Sequence, residues 1–174
     1  MDETIRKNTR LKNWDYSNTA WYFVTFCCKE RRKLLGEVVN ADGVPIKDLP
    51  PTEWGSMGDC SVLLSAVGMK CREVLEAASD LRAGGRVVAY VIMPNHVHLI
   101  AAMRRGQSSS SSLADFIRYI KSSVTKAVRQ RKPGMEIWQR GFHDHIIRDD
   151  DDLERILEYI ATNPVKWAVD RYFE

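Results

Sequence analysis

Two apolar runs joined by a three-residue turn constrain the fold of this 174-residue chain more than any other feature. Residues 86–92 (RVVAYVI) and 96–103 (HVHLIAAM) are rich in β-branched residues, and the Met93-Pro94-Asn95 segment between them favours a turn. So short a connection can join only antiparallel neighbours. The sequence therefore predicts an antiparallel pair of strands in the middle of a sheet.

The remaining segments alternate between strand and helix patterns. In the first half of the chain we predict a buried strand at Trp21–Cys28, a hairpin of Leu34–Val39 with Val44–Ile46 across an Asp-Gly turn, and a helix over about Ser61–Leu81. After the central strand pair we predict a helix over about Leu113–Arg131 capped by Ser112, a strand at Ile137–Ile147 and a helix from Asp150 to Asn163. Pro164 disfavours continuation of this last helix. This order describes an α+β domain in which helices cover an antiparallel sheet.

Length and composition predict one domain over residues 1–174, with a polar arm at residues 1–19 that could contact DNA. The chain has no run of eighteen apolar residues, and its amino terminus lacks the apolar core of a signal peptide. We therefore expect a soluble, cytoplasmic protein with no membrane partner. The four cysteines form no CxxC pair, so neither a disulfide framework nor a zinc ribbon is indicated.

All four histidines occur in two HxH pairs, His96 with His98 and His143 with His145. Side chains two apart in a strand point to the same face, so His96 and His98 project together and could bind one divalent cation. Two histidines in a mostly apolar strand can equally be hydrogen-bonded residues of a half-exposed sheet. The clustering of so scarce a residue favours a shared concave site.

A basic segment covers residues 104–132, with eight Lys and Arg residues against the single acid Asp115. Such a segment attracts a polyanion. A solvated basic face is the competing interpretation, but it predicts interspersed acids, which are absent after Asp115. The candidate DNA-binding residues here are Arg104, Arg105, Arg118, Lys121, Lys126 and Arg129.

In the last predicted helix, Tyr159 and Asn163 lie one turn apart on an edge of the apolar stripe. That stripe is predicted to be Leu153, Ile156, Leu157 and Ile160. A phenol is a competent nucleophile once a nearby metal polarises a phosphate, and Asn163 could add an oxygen ligand. Helix statistics alone would make Tyr159 an ordinary rim residue and Asn163 a C-cap before proline.

Three motifs in this order resemble those of the REP-associated tyrosine transposases, which belong to the HUH superfamily of single-strand transposases and relaxases. They are YVIMPNHVHLI at 90–100, WQRGFHDHIIRDDDDLERILEYIATNPV at 138–165 and WYFVTF at 21–26. The resemblance spans about residues 16–170. It implies a ferredoxin-like HUH nuclease core and an enzyme that nicks and rejoins single-stranded DNA.

Matched residue by residue, the resemblance implies that His96, His98 and Asn163 bind Mg²⁺ or Mn²⁺. It implies that Tyr159 attacks a phosphodiester and forms a 5′-phosphotyrosine intermediate. The implied partner is single-stranded DNA with a palindromic hairpin. Asn163 stands where the insertion-sequence branch usually has glutamine, which favours the REP-associated branch and with it a monomer rather than a dimer.

Other residues have lesser expected roles. His143, His145 and Arg148 are expected to contact DNA in the same cleft, and Tyr119, the rival nucleophile on the basic helix, is assigned to DNA contact or packing. The basic residues of the arm, by the same resemblance, would grip a hairpin foot or could be a tail. Two alternative functions remain: a metal-dependent phosphohydrolase that needs no tyrosine, and a non-catalytic DNA-binding derivative.

Overall fold

The computed structural model describes residues 20–50, 59–79, 84–104 and 112–169. Of residues 168 and 169 it describes only the backbone. The polar arm, Arg105 and the first four serines of the serine tract lie outside these ranges. The elements within them are β1 (Ala20–Cys27), β2 (Gly36–Val39), β3 (Ser61–Leu64), α1 (Ala66–Ala77), β4 (Gly85–Met93), β5 (His96–Met103), α2 (Leu113–Arg129), β6 (His143–Ile147) and α3 (Asp150–Val169). No helix in these four ranges could serve as a membrane span.

Four strands form the main antiparallel sheet in the order β4-β5-β1-β6. With α1 between β1 and β4 and α2 between β5 and β6, the chain follows the β-α-β-β-α-β course of ferredoxin-like folds. The predicted α+β class is confirmed. The prediction that β4 and β5 both lie in the middle of the sheet is wrong for β4, because β1 takes the inner side of β5 and leaves β4 at the edge.

The two faces of the sheet carry separate cores. Tyr22, Val24 and Phe26 of β1 are buried with α1 and α2 in the larger cluster. The alternate residues of β1, including Phe23, point to the other face, where Ile156 and Ile160 of α3 pack. Burying each large apolar side chain contributes about 1.5–3 kcal/mol, so both helical layers are firmly attached.

Helix α2 begins where the sequence predicted. The Ser112 hydroxyl accepts a hydrogen bond from the Asp115 backbone N–H, and the Asp115 carboxylate accepts one from the Ser112 N–H. This capping box satisfies two backbone donors that helix geometry leaves unpaired. The helix ends at Arg129, two residues before the predicted Arg131.

The predicted helix over Ser61–Leu81 is wrong at its beginning. Residues Ser61–Leu64 form β3, which pairs with β2, and α1 starts at Ala66. The Ser65 hydroxyl accepts the Gly68 N–H at 3.1 Å and so caps the helix there. Over four residues the apolar pattern fits a strand as well as a helix, which is why periodicity misplaced the boundary.

The turn of the predicted hairpin forms, but the second strand of the hairpin does not. Asn40 donates its backbone N–H to the Val44 carbonyl at 3.0 Å, and Gly43 has φ +78° as an Asp-Gly turn requires. The strand expected at Val44–Ile46 does not form, because Pro45 has no N–H to extend a ladder. Residues Ile46–Asp48 form a 3-10 turn instead.

The last strand is shorter than predicted. Residues 137–142 are not part of β6, although Trp138 makes one isolated bridge with Cys28. Gly141 has φ +80°, which no strand residue adopts, and this interrupts the predicted strand. The segment therefore forms a loop beside α2.

Helix α3 continues through Pro164 to Val169, so the predicted end at Asn163 is wrong. The proline costs one helical hydrogen bond, but Trp167 is buried beyond it against Val38, Ile46 and Met93. The buried face of α3 therefore runs through Ile156 and Ile160 to Trp167. Leu157, which was predicted to be buried, lies off this face and is 40% exposed.

We predict that Gly68→Ala destabilises the fold. A Cβ at this position would lie 1.9 Å from the Leu35 carbonyl oxygen, so α1 would have to move away. The free energy of unfolding should fall by about 2 kcal/mol or more in chemical denaturation, although alanine is intrinsically the better helix former by about 1 kcal/mol. Met69→Ala, at an exposed neighbour, should stay within about 0.5 kcal/mol. A neutral or stabilising Gly68→Ala would contradict this packing.

Candidate active site

The first histidine pair lies at the start of β5, in the centre of the sheet. His96 pairs with Cys27 and His98 with Thr25 of β1. Both histidines point to the face that α3 covers, as strand alternation predicted. The imidazole of His98 is buried and stacks on Phe23, with ring centroids 5.3 Å apart.

Hydrogen bonds orient both imidazoles through their Nδ1 atoms. His96 Nδ1 donates to the Asn95 side-chain oxygen at 2.7 Å, and His98 Nδ1 lies 2.7 Å from the Thr25 hydroxyl. An amide oxygen can only accept, so the neutral His96 ring carries its proton on Nδ1. Its Nε2 lone pair is then free to bind a cation.

The two Nε2 atoms face each other at 3.0 Å. Two lone pairs this close repel unless a proton or a cation lies between them. Two ligands at about 2.1 Å on neighbouring octahedral positions are also about 3.0 Å apart. The pair therefore has the spacing of two adjacent ligands of one metal ion.

Burial keeps both imidazoles neutral. It lowers the pKa of His96 to about 4, with a further lowering from the charge of Arg31, and it lowers the pKa of His98 to about 3, with a further lowering from His96. Neutral imidazole is the form that binds metals. The pair is thus deprotonated at neutral pH.

Helix α3 brings Tyr159 and Asn163 to this pair. The Tyr159 hydroxyl lies 3.5 Å from His98 Nε2, and its ring meets that of His98 edge to face at 5.2 Å. The Lys166 ammonium lies 5.4 Å from the centre of the Tyr159 ring. Asn163 is 6% exposed, and no described residue hydrogen-bonds to its side-chain amide. A phenol, a cation and an unpaired amide therefore converge on the histidines.

These groups line a cavity of about 300 Å³. Its described lining residues are Thr25, Cys27, Arg31, His96, His98, His143, Tyr159, Asn163, Lys166 and Trp167. None of these is acidic, whereas Arg31 and Lys166 are basic, so the cavity suits an anion such as a phosphodiester. Within the described ranges, no group of three His, Cys, Asp or Glu side chains could hold a metal, so any third protein ligand here would be a neutral one.

The two histidines of the second pair, His143 and His145, have different surroundings. His143 lines the cavity, but His145 pairs with Asp152 at 2.8 Å, and that hydrogen bond is the main reason that the pKa of Asp152 is lowered. Arg148 lies in a separate depression near Trp21 and does not line the cavity. Only one of the three residues expected in the same cleft therefore reaches it.

A second concavity, the basic groove of about 700 Å³, lies along α2. Its described lining residues are Ala114, Ile117, Arg118, Lys121, Ser122, Thr125, Lys126, Arg129, Trp138, Arg140, Gly141 and Phe142. Arg104 is exposed at the end of β5 and is not one of them. Tyr119 packs partly buried against the larger core and lines neither cavity. Cations and aromatic rings together suit a nucleic-acid strand.

Lys121 differs from the other cations of the groove. Its ammonium donates to the carbonyl oxygens of Gln139 at 2.6 Å and Gly141 at 2.9 Å. Burial lowers its pKa. Two of its three donors are thus used to hold the loop before β6 against α2, whereas Arg118 is exposed and, among the described residues, pairs with Asp115 alone.

Sequence reasoning missed five residues of the cavity: Thr25, Cys27, Arg31, Lys166 and Trp167. Thr25 could have been found from the alternation of β1 only if its register with β5 were known. Lys166 and Trp167 were missed because the helix was expected to end before Pro164. Arg31 lies in a turn whose conformation no sequence pattern indicates.

Comparisons with known proteins converge on one family. A model of the IS200-like transposases matches residues 60–163, more than half of the chain. An uncharacterized protein of Haemophilus influenzae is 26% identical over 186 residues, which cover 97% of this chain and 93% of that protein. A REP-associated tyrosine transposase of Escherichia coli K12 is 36% identical over 78 residues, which cover 45% of this chain and 43% of its own length.

One solved structure shares the fold. It is that of a REP-associated tyrosine transposase bound to a REP hairpin. The two chains superpose with a TM-score of 0.57 at 21% sequence identity, over 90% of this chain and 73% of that one. The order of strands and helices described above is therefore one that a tyrosine transposase also has.

We predict that Lys121→Met destabilises the protein. The substitution keeps an apolar stem but leaves two carbonyl groups without their donor, which should lower the free energy of unfolding by about 1–3 kcal/mol in denaturant titrations. Arg118→Met is the matched control, since it removes only a surface ion pair that contributes less than about 1 kcal/mol. Equal effects of the two substitutions would show that Lys121 does not hold the loop.

Proposed function

Because the chain belongs to the IS200-like transposase family, whose members are enzymes, we propose that it nicks and rejoins single-stranded DNA with Tyr159 as the nucleophile. His96, His98 and Asn163 hold the divalent metal that this chemistry uses. The product of the first step is a 5′-phosphotyrosine linkage and a free 3′-hydroxyl.

One observation carries the proposal: the hydroxyl of the partly exposed Tyr159 lies 3.5 Å from Nε2 of the buried His98. The Tyr159 side chain is 38% exposed, so a DNA strand can reach it, yet its ring is held edge to face against Phe23 and His98. A nucleophile must be both accessible and oriented, and this one is both.

The transfer exchanges one phosphate ester bond for another, so the number of such bonds does not change. The Tyr159 oxygen attacks the phosphorus, the bond to the 3′-oxygen breaks, the phenolic proton passes to solvent and the departing 3′-oxygen takes up a proton. Lys166 stands beside the ring and stabilises the phenolate that forms when a 3′-hydroxyl reverses the step. Rejoining therefore needs no external energy source.

HUH transposases generally use a divalent metal, and the residues of this site fit one. The Nε2 atoms of His96 and His98 have the spacing of neighbouring ligands, and the buried amide of Asn163 lacks a hydrogen-bond partner among the described residues. Two nitrogens and one neutral oxygen with room for water suit Mg²⁺ or Mn²⁺. When bound, the cation withdraws charge from the scissile phosphate.

The proposed substrate is a single strand next to a hairpin. A relative of the same fold was solved with a REP hairpin, and we extend that partner to this chain. Arg118, Lys126, Arg129 and Arg140 of the basic groove would bind backbone phosphates, and Trp138 and Phe142 offer faces for unpaired bases. Binding should weaken steeply as salt rises.

Tyr159→Phe is predicted to abolish the covalent adduct. The experiment incubates the protein with labelled single-stranded hairpin DNA and Mn²⁺ and looks for a labelled band that survives denaturation. Phenylalanine keeps the ring contacts with Phe23 and His98 but has no oxygen to attack phosphorus. Tyr119→Phe, the same change outside the cavity, should form the adduct at the wild-type rate.

The alternatives give other outcomes in that assay. A phosphohydrolase would release product with no adduct and would be indifferent to Tyr159→Phe. A non-catalytic derivative would bind the hairpin and leave it intact. An adduct that forms equally with Tyr159→Phe, or is lost with Tyr119→Phe, would refute the proposed nucleophile.

Thr25→Val is predicted to weaken metal binding without removing a ligand. Valine is close in shape, but His98 Nδ1 loses the partner that orients its ring. The Mn²⁺ concentration at half-maximal adduct formation should rise by about 10- to 100-fold. Thr162→Val, which removes a hydroxyl bonded to a carbonyl of α3, is the matched control and should leave the Mn²⁺ titration unchanged. Identical titrations for both variants would exclude this role of Thr25.

A further inference from the structure

Two adjacent residues in the turn after β1 have left-handed backbone angles although neither is glycine. Glu30 has φ 56° and ψ 25°, and Arg31 has φ 51°. In this region the Cβ of an L-residue crowds the following carbonyl, so the conformation is costly. Elsewhere in the described ranges, positive φ occurs only at glycines. Strain of this kind persists only where the surroundings enforce it.

Neighbouring segments do enforce it. Cys28 donates its backbone N–H to the Asn95 carbonyl at 2.7 Å, directly beside the histidine pair, and Lys29 donates to Ile137 at 2.8 Å. The guanidinium of Arg32 donates to two further carbonyl oxygens, at 2.7 and 3.3 Å. The turn is thus attached both to the strand that carries His96 and to the loop before β6.

Arg31 itself takes no part in this anchoring. Its side chain lines the cavity, and no described residue offers its guanidinium a carboxylate or a carbonyl. An unpaired guanidinium in a cavity with no acidic lining residue is a site for an anion.

We propose that the strained turn serves to hold Arg31 as a phosphate-positioning residue, which binds a phosphodiester of the strand that enters the cavity. This rests on the proposed function, since it assumes that the cavity receives DNA. Arg31 and Lys166 come from different elements, the turn after β1 and α3, so they can bind neighbouring phosphates from two sides. Arg31 acts on binding and alignment, and Tyr159 remains the attacking group.

Binding tests this independently of catalysis. In a Tyr159→Phe background and in EDTA, fluorescence anisotropy measures the affinity for a fluorescein-labelled oligothymidylate over a range of salt. Arg31→Ala should weaken binding several-fold and make the salt dependence shallower by about one counterion. Arg31→Lys keeps the charge and should recover most of the affinity. Arg86→Gln removes one charge from an exposed residue of β4 that lines neither the cavity nor the basic groove, and should leave both quantities unchanged.

Stability gives the second readout, because glycine adopts left-handed angles without strain. Thermal unfolding should show a higher Tm for Arg31→Gly than for wild type or Arg31→Ala, while Arg31→Gly binds the oligonucleotide as weakly as Arg31→Ala. A gain in stability together with a loss of binding is expected only if the strain is maintained for ligand binding.

Either of two results would overturn the proposal: an Arg31→Ala variant that binds with wild-type affinity and salt dependence, or an Arg31→Gly variant that is less stable than wild type. Failure of the proposed function looks different. In that case wild type forms no adduct with any hairpin, whereas the effect of Arg31 on oligothymidylate binding can still be measured.

Discussion

The register in which β1 pairs with β5 is the constraint on which the site depends. It sets Thr25 opposite His98 on one side and, through β6, opposite His143 on the other. A slip of one residue would turn Thr25 to the α1 and α2 face and bring Val24 or Phe26 against the histidine. The burial of alternate β1 residues in the larger core excludes that slip, so core packing specifies the position of the metal-binding candidates.

What could be predicted from sequence were the features that local chemistry determines. Strand alternation gives the shared face of His96 and His98, and the helical repeat gives the side of α3 that carries Tyr159. The hydrogen-bonding groups of Ser112 and Asp115 give the helix cap. The resemblance based on three motifs is confirmed by the family match. The rest depended on tertiary contacts. Trp167, buried in a separate cluster, extends α3 beyond Pro164, and pairing with β2 makes a strand of residues that also fit a helix.

The basic groove and the cavity lie on opposite faces of the sheet, because α2 packs on one face and α3 on the other. The segment before β6 connects them, since Phe142 lines the groove and His143 lines the cavity. Lys121 fixes that segment on α2. A DNA strand bound in both the basic groove and the cavity would therefore have to pass the edge of the sheet formed by β6. The stability of the loop before β6 would then set the relative position of the two bound parts of that DNA strand.

Helix α3 carries two local costs at the same point. The residue before a proline is disfavoured in helical conformation, and Asn163 occupies that position. Its amide lines the cavity and has no hydrogen-bond partner among the described residues, so it is hydrated only from the cavity side, which is less favourable than full exposure. Packing of Ile160 and Trp167 on either side offsets these costs without removing them. A residue chosen only for stability would be apolar here, whereas an amide in the same cavity as the histidine pair supplies the third ligand of the proposed metal site. Under the proposed function, coordination of the metal by the Asn163 side-chain oxygen would offset this cost.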